Sequence, residues 1–237
     1  MNPHLSVVIP CFNEAHKIET DIHAVLEYFS ARSYPFELIL VDDGSTDETP
    51  ALLEQAEKRG AGDSPARAIC YRPNRGKGYA VRTGMLQATG RYRLFADAGL
   101  CVPFAEIEKG LALLESGADV AIASRKLAES QVVEKQAGYR QIGSKLFGFL
   151  VRNWMGLRYS DTQCGFKLFT AQAAERLFSA GRIDGFMFDA EILINARKFG
   201  LTVREFPVEW RADPDSRYKP FSGSFRNLLE LARIQLQ

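Results

Sequence analysis

An apolar run that ends abruptly on two acids constrains this chain more than any other stretch. Residues 38–41 have the length and β-branched bias of a short buried strand, and the Asp-Asp-Gly-Ser-Thr run at 42–46 ends it at once. In an open α/β sheet, ligands bind outside the carboxyl ends of the strands, so both carboxylates are expected to face a crevice. Ser45 or Thr46 would then cap the helix that follows. A capped turn with solvated acids is the alternative for this stretch alone.

Two other apolar runs end in the same way. Residues 5–10 precede Asn13, and residues 92–96 precede Asp97. Asn13 is a favourable N-cap, so we expect a helix over residues 14–30 and a strand-helix-strand unit. Because parallel strands bring their carboxyl ends to one edge, the polar ends should meet and form a pocket for a ribose or a metal-bound phosphate. The pattern predicts an α/β fold with a mostly parallel central sheet and helices on both faces.

Cations follow two further predicted strands. Gly76 lies between Arg75 and Lys77 at a predicted helix start, where backbone N–H groups, the helix dipole and the cations favour an anion such as phosphate. Arg125 follows the strand over residues 119–123 and can bind two phosphate oxygens through its guanidinium. Solvated cations and a surface ion pair are the respective alternatives. The glycine spacing is not that of a Walker loop, which argues against ATPase or GTPase chemistry.

Three segments of the second half carry further signals. Residues 142–157 are apolar and would form a helix of roughly 24 Å, which either lies in the core or rests in a membrane interface. Residues 161–169 place an acid, an amide and a lysine around Gly165, which permits close approach of a sugar or phosphate. Asp189 opens a helix, where it either complements the helix dipole or acts in catalysis.

Composition narrows the class of protein. A formal net charge of +1 gives no support to nucleic-acid binding, and no segment reaches the ~20 apolar residues that a membrane span requires. The four cysteines form no Cys-x-x-Cys pair, so we expect reduced thiols rather than disulfides or a zinc site. The three histidines all fall before residue 24, outside any pattern typical of nucleophilic hydrolases. The sequence predicts a cytoplasmic protein that does not use histidine chemistry.

Taken together, the motifs of this chain resemble glycosyltransferase family 2 on a GT-A fold. The resemblance rests on Val-Val-Ile-Pro-x-x-Asn-Glu at 7–14, Val-Asp-Asp-Gly-Ser-Thr-Asp at 41–47, Asn-Arg-Gly-Lys-Gly at 74–78, the Asp97 loop, Ser124-Arg125, and Asp-Thr-Gln-Cys-Gly-Phe-Lys-Leu-Phe at 161–169. The last motif, together with Arg140 and residues 210–217, is similar to the dolichyl-phosphate glucosyltransferases and, more distantly, to dolichol-phosphate mannose synthase.

The resemblance implies a single Rossmann-like, nucleotide-diphospho-sugar transferase domain over residues 1–237. Residues 1–125 would bind the nucleotide sugar. Residues 126–237 would bind the acceptor, beginning with a polar loop at 126–138 and ending in an amphipathic helix over 225–236. The implied activity is inverting transfer of a hexose to a polyprenyl or dolichyl phosphate, with UDP-glucose favoured over GDP-mannose as the donor.

The resemblance also implies three groups of site residues. The nucleotide sugar would be bound by Pro10, Asn13, Glu14, Asp42, Asp43, Ser45, Lys77 and Asp97, with Asp42 on the base and Glu14 near the ribose. The acceptor and the phosphates would be bound by Arg125, Arg140, Gln163, Lys167 and Arg217. The catalytic residues would be Asp97, Arg125 and Asp189.

The chain departs from the family pattern at Gly99, where relatives usually carry the second acid of an Asp-x-Asp motif. We therefore expect Asp97 to be the one side chain of this loop that contributes a carboxylate to a divalent cation, Mg2+ or Mn2+. Arginines would share the neutralisation of the departing diphosphate.

The acceptor decides whether the enzyme needs a general base. A phosphate monoester is already largely ionised at pH 7, so a lipid phosphate needs none. The implied partners are the donor, a polyprenyl phosphate, the cytoplasmic face of a membrane as a peripheral surface and a recruiting membrane protein. Two alternatives stay open: transfer to a hydroxyl of a glycan or small metabolite with Asp161 or Asp189 as base, and a non-catalytic nucleotide-sugar-binding protein.

Overall fold

The computed structural model describes residues 3–59, 66–133, 154–212 and 224–235. The strands in these ranges are β1 (Leu5–Cys11), β2 (Phe36–Asp42), β3 (Ala66–Cys70), β4 (Tyr92–Ala96), β5 (Val120–Ser124), β6 (Gln131–Val132), β7 (Phe166–Thr170), β8 (Val203–Pro207) and β9 (Glu209–Trp210). Seven of them form one sheet in the order β3-β2-β1-β4-β7-β5-β8, while β6 and β9 pair separately. The large sheet therefore combines strands from both halves of the chain.

Helices cover both faces of this sheet. They are α1 (Ile18–Ser30), α2 (Thr49–Arg59), α3 (Lys77–Gln87), α4 (Ile107–Glu115), α5 (Ala171–Ala180), α6 (Phe188–Lys198) and α7 (Ser224–Gln235), with a 3₁₀ turn at Phe104–Glu106 before α4. Apolar side chains of α1, α2 and α4 pack in one hydrophobic cluster, and those of α3, α5, α6 and α7 pack in a second one. The predicted α/β fold with a doubly covered sheet is confirmed.

The apolar run of β1 is explained by burial on both faces. Val7 and Ile9 belong to one cluster and Val8 to the other, and none of the three is more than 1% exposed. Each such side chain stabilises the fold by about 1.5–3 kcal/mol when it is fully buried. A strand with two buried faces needs apolar residues at successive positions, so it lacks the alternation of a half-exposed strand.

The strand directions gather the polar strand ends at one edge. β1 runs parallel to β2 and β4, β2 to β3, and β5 to β8, whereas β7 is antiparallel to both β4 and β5. The segments that follow β1, β2, β4 and β5 therefore leave from the same edge, which is also where β7 begins. Because β1 lies between β2 and β4, the strand order switches direction beside it, which is where a ligand crevice is expected in such a sheet.

The predicted helix caps near this edge are wrong. α1 begins at Ile18 rather than residue 14, with Lys17 at the N-cap position. Asn13 has φ of 51°, a backbone region that asparagine tolerates, and its side-chain oxygen accepts from the Thr46 N–H at 2.7 Å. The Asp47 carboxylate, not Ser45 or Thr46, accepts from the Thr49 N–H at 3.0 Å at the start of α2. The Asn13 side chain therefore joins the two strand ends and caps no helix, while α2 begins beside Asp47.

The second half differs from the sequence prediction in one place and confirms it in another. Residues 126–138 are not entirely loop, because β6 forms there and pairs in parallel with β9. The amphipathic C-terminal helix is present as α7. Arg140, Arg217 and most of the apolar stretch at 142–157 lie outside the described residues. In the described ranges, no helix combines the length and hydrophobicity needed to cross a membrane.

Candidate active site

The ends of β1 and β2 form one polar surface. Asp42 is 1% exposed, and both of its carboxylate oxygens accept from the Ser45 N–H at 3.2 Å. Burial raises the pKa of Asp42, while hydrogen bonds from Ser45 and Gly44 counter that rise. The Ser45 hydroxyl accepts from the Asn13 N–H at 2.7 Å, and the Glu14 N–H donates to the Thr49 hydroxyl at 2.8 Å.

Asp43 occupies the anion-binding turn that the sequence predicts at Gly76. Its carboxylate accepts from the Tyr71 hydroxyl at 2.9 Å, from the Asn74 side-chain amide at 2.9 Å, and from the N–H groups of Arg75 and Gly76 at 2.8 and 2.9 Å. Four donors therefore converge on the carboxylate of the protein itself. Asp43 ties the end of β2 to the loop that leads into α3.

Asp97 and Lys77 form an ion pair at the end of β4. The Lys77 ammonium lies 2.6 Å from Asp97 Oδ1, and the two side chains are 22% and 32% exposed. Burial lowers the pKa of Lys77, but the carboxylates of Asp97 and Asp189 raise it by more than burial lowers it. The net pKa lies above the ordinary value, so the lysine stays charged. The Asp97 N–H donates to the Gly165 carbonyl at 2.8 Å. In the structure, the group that lies against Gly165 is the Asp97 side chain, at the position where the sequence predicts a sugar or phosphate.

Lys167 and Asp189 form a second ion pair, which is almost fully buried. The Lys167 side chain is 0% exposed and that of Asp189 is 6% exposed. The ammonium contacts Asp189 Oδ1 and donates to the Cys164 carbonyl at 2.8 Å. It lies 5.7 Å from the centre of the Phe95 ring, and the Lys77 ammonium lies 5.5 Å from the same ring. Two lysines and two carboxylates thus balance their charges around Phe95.

Arg125 is held by a buried carboxylate. Its Nε and Nη2 donate to Asp161 at 2.6 and 2.9 Å, and its backbone N–H donates to the same carboxylate at 3.1 Å. Burial favours neutral Asp161, but the guanidinium outweighs it and lowers the pKa of this carboxyl to about 2. The Gln163 N–H also donates to Asp161, at 3.3 Å. The guanidinium carbon lies 5.3 Å from the Trp210 ring.

Asp97 fits a divalent cation that takes its other ligands from a phosphate-containing substrate. Mg2+ is often held by one or two carboxylates together with substrate phosphates. Asp97 is partly exposed, whereas Asp21 of α1 is 2% exposed and its carboxylate accepts from the Gly99 N–H at 2.8 Å. Among the described residues, no three acidic, histidine or cysteine side chains form a group able to enclose a metal.

Gly99→Asp is expected to destabilise the fold by about 1–3 kcal/mol, because a side chain is added in a sparsely populated backbone region. Gly99 has φ of 99°. Gly117 has φ of 98° with open space around an added Cβ, so Gly117→Asp measures the backbone cost alone and should destabilise the fold by a similar amount. Urea unfolding of Gly99→Asp and Gly117→Asp measures both costs. A Gly99→Asp protein as stable as the native chain would show that the loop relaxes without strain.

The structure brings most of the predicted site residues to one edge of the sheet. Pro10, Asn13, Glu14, Asp42 and Ser45 lie at the ends of β1 and β2, while Lys77, Asp97, Lys167 and Asp189 surround the end of β4. Sequence reasoning missed Asp21 and Tyr71, whose roles depend on contacts with distant segments. Neither residue carries a local signal that could have indicated its partner.

Comparisons with known proteins place the chain in a family. The model of glycosyl transferase family 2 matches residues 6–178. The dolichyl-phosphate beta-glucosyltransferase of Homo sapiens is 35% identical over 98% of this chain and 75% of its own length. The protein of the same name from Dictyostelium discoideum is 31% identical over 100% of this chain and 75% of its own length.

Solved structures support the fold. Glucosyl-3-phosphoglycerate synthase from Mycobacterium tuberculosis, in complex with Mn2+, UDP-glucose and phosphoglyceric acid, has a TM-score of 0.70 at 19% identity and covers 99% of this chain and 79% of its own. The same enzyme with Mg2+ and UDP has a TM-score of 0.66 at 18% identity, covering 99% and 78%. The family model and relatives matched along nearly the whole sequence agree, and this chain belongs to glycosyl transferase family 2.

Proposed function

We propose that this protein is an inverting glycosyltransferase that moves a hexose from a nucleotide sugar, UDP-glucose in preference to GDP-mannose, to a polyprenyl phosphate such as dolichyl phosphate. The observation that carries this proposal is the similarity to dolichyl-phosphate beta-glucosyltransferases at 31–35% identity over at least 98% of the chain. We further propose that residues 1–237 act as one domain, with the donor bound mainly by residues 1–125.

The donor nucleoside is assigned to the surface at the ends of β1 and β2. Asp42 would accept from the base, and Pro10, Asn13, Glu14 and Ser45 would line the crevice toward the ribose. Asp43 already accepts four hydrogen bonds. Its assigned role is therefore to shape the loop that precedes Lys77 rather than to contact the nucleotide.

The donor diphosphate is assigned to Lys77, Asp97 and Arg125. A divalent cation, Mg2+ or Mn2+, would be held by the Asp97 carboxylate and would neutralise charge on the departing diphosphate. Lys77 and Arg125 would add cationic donors on either side. Arg140 and Arg217, which lie outside the described residues, remain predicted phosphate ligands on the basis of the sequence.

Gly165→Ala is expected to reduce transfer about 100-fold, because small displacements of a catalytic group have effects of this size. An added Cβ would lie 1.9 Å from Asp97 Oδ2, so the carboxylate would have to move away from its present position. Gly181→Ala is the matched control, since its added Cβ meets no atom closer than 3.5 Å. Initial rates with the two variants test the assignment of Asp97, and a native rate for Gly165→Ala would contradict it.

The ion pairs of the two candidate bases, Asp161 and Asp189, favour a phosphate acceptor over a hydroxyl acceptor. A general base needs a carboxylate that can reach and accept the acceptor proton. Both carboxylate oxygens of Asp161 accept hydrogen bonds from the Arg125 guanidinium, and Asp189 is buried in an ion pair with Lys167. A lipid phosphate arrives as an anion and needs neither residue as a base. Lys167 and Asp189 are accordingly assigned as an internal pair that sets the charge of the site, and Gln163 as a neighbour of the acceptor.

We assign the protein to the cytoplasmic face of a membrane, as a peripheral protein that meets its acceptor there. Trp154 and Leu229 are 44% and 48% exposed, and the side chain of Gln235 in α7 donates to the Trp154 carbonyl at 2.9 Å. Exposed tryptophan and leucine side chains suit a membrane interface. A membrane protein could recruit the enzyme to the same surface.

A donor and acceptor screen tests the proposal. The protein is mixed with labelled UDP-glucose or GDP-mannose and with polyprenyl phosphate in detergent, and label in the organic phase is measured. We expect glucosylated lipid phosphate from UDP-glucose. The matched control is polyprenol, which has the same chain and a hydroxyl in place of the phosphate. Label transfer to polyprenol would support the hydroxyl alternative, and donor binding without product would support a non-catalytic protein.

A further inference from the structure

We propose that Glu205 is a positioning residue for Arg125, acting through the turn at Ser160 and Asp161. The inference rests on the proposed function, in which Arg125 contacts phosphate groups. Glu205 lies in β8 and is aligned with Ile122 of β5, close to the strand end that carries Arg125. It is therefore beside the site without being part of the surface assigned to the donor.

The Glu205 carboxylate fastens the turn at residues 160–161. Its Oε1 and Oε2 accept from the Ser160 N–H at 2.9 and 3.0 Å, and Oε2 accepts from the Ser160 hydroxyl at 3.1 Å. The Asp161 N–H donates to Oε1 at 3.2 Å. Two consecutive backbone groups and one hydroxyl are thus bound to a side chain of β8, the outermost strand of the large sheet, which is held by its pairing with β5. The position of the Asp161 backbone follows from the position of β8.

Asp161 transmits this position to the guanidinium of Arg125. Its carboxylate accepts from Nε, from Nη2 and from the backbone N–H of Arg125. The side chain of Asp161 is 2% exposed, so it has little room to adopt another rotamer. A bidentate contact fixes the plane of the guanidinium as well as its distance, which a single hydrogen bond does not.

The contacts of Asp161 and Glu205 set the direction of the Arg125 nitrogen that does not bond to Asp161. Nη1 takes part in none of the three bonds to Asp161, and the side chain is 24% exposed. Trp210 lies against the guanidinium from β9, with 5.3 Å between its ring centre and the guanidinium carbon. Because Asp161 neutralises the charge of Arg125 locally, the strength of a phosphate contact depends on the direction of the remaining N–H groups. Glu205 fixes this direction, because it holds the backbone of Asp161 in place.

A double-mutant cycle on transfer activity tests the inference. Glu205→Ala is combined with Arg125→Lys, which keeps a cation for Asp161 but removes the fork. In the native background we expect Glu205→Ala to lower kcat about 10- to 100-fold, the size expected for a misdirected site group, with little change in KM for the donor. In the Arg125→Lys background, Glu205→Ala should change kcat less than about twofold, since effects that act through one residue are not additive.

A matched control separates positioning from general stability. Glu37 in β2 also accepts from a backbone N–H, that of Thr89 at 2.6 Å, and from the Ser6 hydroxyl at 2.5 Å, but it lies near the opposite edge of the sheet. Glu37→Ala should therefore leave kcat within about twofold of native under conditions in which the protein is folded. Circular dichroism establishes that each variant is folded before its rate is compared.

Two results would overturn different parts of the argument. Equal losses from Glu205→Ala in both backgrounds would show that Glu205 acts independently of Arg125, and the inference would be wrong. A native kcat for Arg125→Lys would instead remove the fork of Arg125 from the proposed reaction. If Glu205→Ala does not fold, Glu205→Gln keeps one acceptor oxygen for Ser160. The same cycle then applies, with a smaller loss in the native background and none beyond Arg125→Lys in the other.

Discussion

Lys167→Met is expected to lower the free energy of unfolding by about 3–5 kcal/mol, the cost of removing one partner of a buried ion pair. Lys167 is 0% exposed, and its ammonium contacts the Asp189 carboxylate and the Cys164 carbonyl. Methionine fills much of the same volume but leaves a buried carboxylate without its main counter-ion. The charge of Lys77 in α3 also favours the ionised form of Asp189, but Lys77 is already paired with Asp97.

Removing the charge of Asp189 as well should restore stability to the Lys167→Met variant. The double variant Lys167→Met/Asp189→Asn carries no buried ion at either position, and we expect it to recover most of the loss in urea unfolding. Lys109→Met is the surface control, since Lys109 pairs with Glu106 but is 50% exposed, and it should cost under about 1 kcal/mol. If the double variant is no more stable than Lys167→Met, the loss comes from packing and not from charge.

The sequence allowed prediction of the strand ends because their signals are local. An apolar run followed by acids and glycine restricts the backbone within a few residues, so β1, β2 and β4 and their polar ends follow directly. Asn13 shows where such reasoning fails. Its preference for a helix cap is also local, but contacts with Ser45 and the Thr46 N–H, in the segment that follows β2, outweigh it.

Lys167 could not have been placed from its neighbours. It stands in a Phe-Lys-Leu-Phe run, where alternation assigns Lys167 and Phe169 to the opposite face from Phe166 and Leu168. In the structure β7 is inserted between β4 and β5, and both of its faces are covered. The lysine is therefore buried. Its charge is tolerated there because Asp189, in the first turn of α6, packs against it. Asp43 and Glu205 are similar cases, because their partners are 28 or more residues away in the chain.

Asp97→Asn is expected to lower the rate of transfer by about 10²- to 10³-fold, the effect of losing one well-placed electrostatic group in an active site. Asparagine keeps the shape of the side chain and removes its charge, so the hydrogen bond from the Asp97 N–H to the Gly165 carbonyl should survive. Asp119→Asn is the matched control. The Asp119 carboxylate accepts from the Thr202 N–H at 2.8 Å just before β5, at the opposite edge of the sheet, and this variant should keep the native rate.

The dependence of the native rate on divalent cations shows why Asp97 matters. A hard cation held by one protein carboxylate and by substrate phosphates has fewer anionic ligands than one held by two carboxylates. Gly99 supplies no side-chain oxygen, and Asp21 is bonded to the Gly99 N–H. We therefore expect Mg2+ or Mn2+ to stimulate transfer only at high concentration, and chelation to reduce the native rate toward that of Asp97→Asn. Full activity after exhaustive chelation would instead assign the neutralisation of the diphosphate to arginines, with Arg125 as the first candidate.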